Sequence, residues 1–180
     1  AATTGSTGVR LSGHSDVSAS RNPLQKVAHQ PQRQPNVVVV MMESMSAEYM
    51  AAFGNSENLT PSLDRLAGEG LLFTRLYATG TRTVRGLEAL SAGLPPQPGM
   101  SVVRWPNVAN LNTLGGALAA RGWTPHFLYG GYGMFDNMNG YFDAQGYQVT
   151  DRTNFKEGLV KFENIWGVAD EHLFDQALIN

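Results

Sequence analysis

The chain has 180 residues, enough for one domain with a real core, and its 42% hydrophobic content is that of a folded globular protein. A formal net charge of -2 with 16% charged residues excludes a general nucleic-acid binder, which would carry a basic excess. The absence of cysteine excludes a disulfide framework, a thiolate zinc site and a cysteine nucleophile together. No window supplies the ~18 uninterrupted apolar residues of a membrane-spanning helix, and the start lacks a basic stretch followed by an apolar one.

Residues 1–34 are rich in Ser, Thr, Gly, Gln and Asn and show neither helical nor strand periodicity, so they read as a linker or disordered tail. His14 and His29 lie there without a partner at ligand spacing and are not expected to be functional. At Pro35 the composition changes. The run 36–42 (Asn-Val-Val-Val-Val-Met-Met) predicts a strand covered on both faces, as in a parallel sheet. Glu43 and Ser44 follow. A carboxylate leaving such a strand stands where open α/β sheets bind ligands, and its hard oxygens suit Mg2+, Mn2+ or Zn2+. Spacing alone leaves open a Glu43 that merely opens the next helix through 46–50.

Residues 59–67 predict a short amphipathic helix, with Thr60 as cap, Pro61 at the first position and Leu63 and Leu66 on one face. Gly68 and Gly70 end it, and 71–77 (Leu-Leu-Phe-Thr-Arg-Leu-Tyr) predicts a second strand. That strand delivers the chain to a Gly-broken turn running into a helix, 78–90 (Ala-Thr-Gly-Thr-Arg-Thr-Val-Arg-Gly-Leu-Glu-Ala-Leu). Free N–H groups and about half a positive charge at a helix N-terminus favour an anion there, which makes Thr83 a candidate nucleophile toward a phosphate-like group. Arg82 and Arg85 are candidates to neutralise its phosphoryl oxygens. An ordinary N-cap at Thr81 or Thr83 accounts for the same residues.

The proline cluster at 95–98 forces a loop; 113–121 predicts a small-residue helix closed by Gly122, and 124–129 a third strand in which His126 is expected to be packed. The strand opens into Gly130-Gly-Tyr-Gly-Met-Phe-Asp-Asn137, a candidate substrate wall with Asn137 as a candidate substrate ligand, whose Phe135, Tyr141 and Phe142 are expected to pack on the sheet. A short strand at 147–151 and a helix at 169–179, with Leu173, Phe174, Ala177 and Leu178 as its apolar side, complete the chain. Alternating strands and helices predict an α/β fold, a mostly parallel sheet flanked by helices with right-handed crossovers.

The blocks 36–44, 59–66, 78–90, 129–138 and 164–175 together resemble the lipoteichoic acid synthase and phosphoglycerol transferase branch of the sulfatase/alkaline phosphatase superfamily, over residues 35–180. The resemblance implies an alkaline phosphatase-like fold, a divalent metal, commonly Mn2+, bound by Glu43 and Thr83, and Thr83 as attacking oxygen. It further implies transfer of a phosphoglycerol-type group from a phospholipid donor to a glycan or polymer hydroxyl through a covalent threonine ester. An extracytoplasmic site is implied too, with membrane attachment through segments outside this chain.

Formylglycine sulfatases carry Cys or Ser in C/S-x-P-x-R, whereas Thr83-Val84-Arg85 has neither the Cys nor the Pro, which argues against sulfate-ester hydrolysis. The family's Asp-His metal ligands lie in a downstream half that this chain does not contain, and Asp170-Glu171-His172 is not that pair. Residues 35–180 are therefore expected to be the N-terminal half of the catalytic domain, with an incomplete metal site and a sheet edge left to be covered. The Trp and Arg that lipoteichoic acid synthases place near Asp136 and Asn137 are missing, which leaves the acceptor open. The alternatives are a phosphodiesterase, phosphatase or other hydrolase of the superfamily, or an inactive binding module.

Overall fold

The computed structural model describes residues 35–95, 97–106 and 108–180. The readings of 1–34, including His14 and His29, fall outside these residues. The chain divides into two units at Met42/Glu43.

In the first unit, residues 36–42 form no strand. Val37, Val38, Val39 and Val40 are all more than half exposed. This corrects the expected buried strand: a β-branched run favours extended backbone, but a strand exists only where a second one accepts its hydrogen bonds.

The second unit, 43–180, begins with two 3-10 turns, Ala47–Tyr49 and Ala51–Phe53, followed by helix α1, Pro61–Glu69. Thr60 stands at the N-cap of α1 as expected, but its side chain makes no capping bond; its hydroxyl bridges the Tyr49 carbonyl (3.2 Å) and Asp64 Oδ2 (3.0 Å), while Asp64 Oδ1 accepts from the Ala52 N–H (2.8 Å). α1 is thereby fastened to the preceding turns. Residues 71–77, expected as a strand, have no ladder and leave Leu71, Phe73, Leu76 and Tyr77 exposed.

Helix α2, Thr83–Ala92, ends at Gly93, whose φ of 65° supplies the left-handed residue that closes a helix. After the loop through Gly99 come a 3-10 turn, Val102–Arg104, and helix α3, Leu114–Ala119. Thr113 caps α3 through the Gly116 N–H (3.1 Å). A side chain at Gly115 would collide with the Tyr147 ring, whose hydroxyl accepts the Gly115 N–H at 2.9 Å.

The sheet among the described residues is one parallel pair, β1 (His126–Tyr129) with β2 (Gln148–Asp151), in register Phe127↔Val149 and Tyr129↔Asp151. They are joined through helix α4, Met138–Ala144, as a βαβ unit. The sequence analysis assigns no helix to these residues, so α4 is an addition to the expected elements. Its Met138, Tyr141 and Phe142 form the core with Val84 and Leu87 of α2 and Val103 of the 3-10 turn. Phe142 stacks on Phe127 with centroids 3.8 Å apart and meets Tyr141 and Tyr147 edge-on. Phe135, expected in this cluster, is exposed, and so is His126, at the open start of β1.

Helix α5, Asp170–Ala177, turns His172 and Gln176 inward; of the expected apolar side Leu173 is half-buried, while Phe174 and Leu178 face out. Hydrogen bonding explains the inward polar pair. Gln176 Oε1 accepts the Lys156 N–H (2.9 Å), and His172 Nε2 accepts those of Lys161 (3.2 Å) and Phe162 (3.3 Å), so these side chains serve loop donors that would otherwise lack partners.

Candidate active site

α2 begins where it does because the turn before it can lie against Arg85: a Cβ on Gly80 would come within 2.8 Å of the Arg85 Cβ. The N-cap is Arg82, in extended conformation, and its side chain makes no capping bond. Its carbonyl accepts the N–H groups of Arg85 (2.9 Å) and Gly86 (3.3 Å). Thr83 is therefore the first helical residue. Neither Thr81 nor Thr83 is the cap, which removes the structural explanation that competed with a chemical role.

The Thr83 hydroxyl instead donates to Glu43 Oε2 at 2.7 Å, a bond between residues 40 positions apart. Glu43 belongs to a two-residue turn, not to the end of a strand or the start of a helix. The next residue, Ser44, has φ +56°. Non-glycine residues in that region carry strain and collect at functional sites. With no acidic residue in the first turn of α2, Glu43 is the carboxylate bonded at its positive end.

Two further groups, unmarked in the sequence reading, lie in electrostatic reach. Burial first, then the Glu43 and Asp136 carboxylates, push the Tyr129 phenol above its ordinary pKa. Tyr129 ends β1, and Asp136 follows in the loop after it. The strand-end rule that singled out Glu43 applies to them equally.

The remaining sequence candidates separate. The Arg82 guanidinium is exposed and has no ion pair among the described residues. Arg85 is mostly buried, with one nitrogen 2.7 Å from Glu88 Oε1 and the other donating to the Gly99 carbonyl. Asn137 donates its amide to the carbonyls of Val103 (3.1 Å) and Trp105 (3.2 Å). Both side chains are thus engaged within the protein.

The donor chemistry at Glu43 and Thr83 suits a hard divalent cation: one carboxylate and one alcohol oxygen already in contact, exposed, and without a cationic partner there. Two oxygens are only part of a coordination sphere, and among the described residues no group of three or more His, Asp or Glu could complete one. His172 has its Nε2 committed to the two loop N–H groups.

The site thus combines a parallel βαβ pair, a helix whose N-terminus presents a hydroxyl, and a carboxylate bonded to that hydroxyl. A crystal structure of a protein in the alkaline phosphatase superfamily from Vibrio parahaemolyticus superposes with a TM-score of 0.61 at 41% identity, over 66% of this chain and 29% of that one. The sulfatase family model matches residues 35–179, and the chain belongs to that family.

Named relatives include an N-acetylgalactosamine-6-O-sulfatase of Bacteroides thetaiotaomicron, 28% identical over 48% of this chain and 17% of the relative. An ulvan-active sulfatase of Formosa agariphila is 36% identical over 37% of this chain and 11% of the relative. Human arylsulfatase A is 31% identical over 51% of this chain and 19% of the relative. The matched segments span less than a fifth of these relatives. They support the superfamily; none of them is a lipoteichoic acid synthase or phosphoglycerol transferase.

Proposed function

We propose that this chain carries the nucleophile half of a metal-dependent phosphotransferase of the lipoteichoic acid synthase and phosphoglycerol transferase branch, completed by a downstream half that supplies the remaining metal ligands. The observation that supports it is the 2.7 Å bond between the uncapped Thr83 hydroxyl and Glu43 at the start of α2. In this reading Thr83 Oγ1 attacks the phosphorus of a glycerophospholipid. An O–P bond forms, the bond from phosphorus to the lipid alkoxide breaks, and the hydroxyl proton, which already points at Glu43, ends on the departing alkoxide. An acceptor hydroxyl of a glycan or polymer then attacks the threonine phosphodiester and gives its proton to Thr83 as that oxygen leaves.

The positive end of α2 and the free Arg82 would hold the phosphoryl oxygens. A divalent cation held by Glu43 and Thr83, Mn2+ or else Mg2+ or Zn2+, would supply Lewis-acid charge that favours the deprotonated alcohol. With a phospholipid donor and a glycan acceptor, the reaction in this reading would run at the extracytoplasmic face of a membrane.

Thr83→Ala in the complete protein is expected to lower transfer by about 10^4-fold or more with the fold intact, and to remove a phosphoglycerol adduct on the Thr83 peptide seen by mass spectrometry. Full retained activity would reject Thr83 as nucleophile. The named relatives favour a second reading, sulfate-ester hydrolysis. Thr83-Val84-Arg85 opposes it, lacking the Cys or Ser that is converted to formylglycine and the Pro beside it. Release of sulfate from an aryl or sugar sulfate, with no transfer from a glycerophospholipid, would decide for hydrolysis.

A further inference from the structure

The buried Glu88 is unused by the reaction above, yet its carboxylate gathers three polar partners from two segments of the chain. Its Oε1 takes the Arg85 guanidinium at 2.7 Å; its Oε2 accepts from the Ser101 hydroxyl at 2.5 Å and the Val102 N–H at 3.0 Å. Arg85 reaches on to the Gly99 carbonyl, and the Ser101 hydroxyl also accepts the Val103 N–H at 3.3 Å. One carboxylate on the catalytic helix thus holds the whole 99–103 segment.

That segment in turn holds the loop after β1. Asn137 donates to the Val103 and Trp105 carbonyls, and Arg104 Nε pairs with Asp136 Oδ1 at 3.1 Å. Asp136 and Asn137 both have positive φ, 56° and 60°, a conformation that two successive non-glycine residues keep only when their surroundings hold them. From Thr83 the connection runs about one and a half helical turns to Glu88, across to 101–105, and on to 136–137.

Resting on the assignment of Thr83 as nucleophile, we propose that Glu88 is a positioning residue that fixes the 135–137 loop relative to α2, the helix that carries Thr83. Arg85 and Asn137 belong to this brace and are not phosphate ligands. Only Arg82, of the three polar side chains singled out around the phosphoryl site, is left free to meet the donor.

The test uses the full-length protein with Glu88→Gln, Asn137→Ala and the double variant. Glu88→Gln is expected to lower kcat by about 10- to 100-fold, the penalty of a misplaced reacting group, with KM for a glycerophospholipid donor within about threefold. Amide exchange over 133–139 should accelerate in Glu88→Gln, although that loop is some 50 residues away in sequence. The double variant should be no worse than the worse single one, because both changes break the same connection.

Unchanged exchange at 133–139, or losses that multiply in the double variant, would overturn the brace; so would a rise in KM as the main effect, the mark of a lost substrate contact. If Glu88→Gln does not fold, Ser101→Ala and Arg85→Lys, which each loosen one link, carry the same measurements. The exchange readout needs no turnover. An active Thr83→Ala enzyme would sink the nucleophile while leaving the brace standing, and unchanged exchange would do the reverse.

Discussion

Residues 71–77 and 124–129 carry similar strand signals, yet only the second becomes a strand. β1 is followed by a helix that returns the chain beside it, so that β2 completes its hydrogen bonds and Phe142 covers Phe127. The 71–77 stretch has no such neighbour among the described residues and keeps Leu71, Phe73, Leu76 and Tyr77 in solvent. An extended apolar run is therefore only half of a strand. The same contrast divides the site: Thr83 stands on a helix whose Val84 and Leu87 belong to the core, whereas Glu43 sits on an exposed turn. Thr83 is held by packing, and Glu43 chiefly by one hydrogen bond.

Truncating an aromatic in each region is the strongest way to break this comparison. Phe142→Ala removes the ring stacked at 3.8 Å in a closed core and should cost about 3–5 kcal/mol in urea unfolding of the complete protein. Phe73→Ala, at a residue 65% exposed, should stay within about 0.5 kcal/mol. Equal losses would mean that 71–77 is packed in solution and that the two regions do not differ. A smaller effect is expected at Gly133, where an added Cβ would lie 1.8 Å from Asn139 Oδ1. The Asn139 amide bonds Asp151 Oδ2 at 2.7 Å, so Gly133→Ala must displace it and should cost about 1–3 kcal/mol.

Helices are legible in the sequence where caps and punctuation agree, as at Pro61 and at Thr113 with Gly122. α4 is not, because Asn139 and Gly140 are poor helix formers and its stability comes from Tyr141 and Phe142 being buried. The inward face of α5 was misread for a related reason: hydrophobic period cannot foresee that loop N–H groups at 156, 161 and 162 will draw in His172 and Gln176. Glu43 and Thr83 were each visible as a type of residue at an element boundary; their meeting came from the family resemblance and is seen only in the fold. Asn137 shows the limit of reading polarity by position, since the carbonyls it bonds lie more than 30 residues away, while Arg85 combines an i,i+3 pair with Glu88 and a bond to the Gly99 carbonyl 14 residues on.

Acid should sharpen the same comparison with the smallest effect. Burial works to raise the Asp151 pKa, but the Thr153 hydroxyl, the Asn139 amide and the N–H groups of Thr153 and Gly133 outweigh it and hold the carboxyl below its ordinary value. Glu88 behaves alike: burial raises it, and Arg85, Ser101 and the Val102 N–H bring it lower. A carboxyl whose folded pKa lies under its unfolded one contributes stability that is fully present above the unfolded value, about 4, and is lost as pH falls through the folded value. Urea midpoints measured downward from pH 6 should therefore hold steady to about pH 4 and then drop. Because Asp151 ends β2 and Glu88 lies in α2, that drop belongs to the packed region, and in Asp151→Asn it should be shallower. An Asp151→Asn protein with an unaltered acid limb would show that these hydrogen bonds persist with the carboxyl protonated, and would move the acid sensitivity to Glu88.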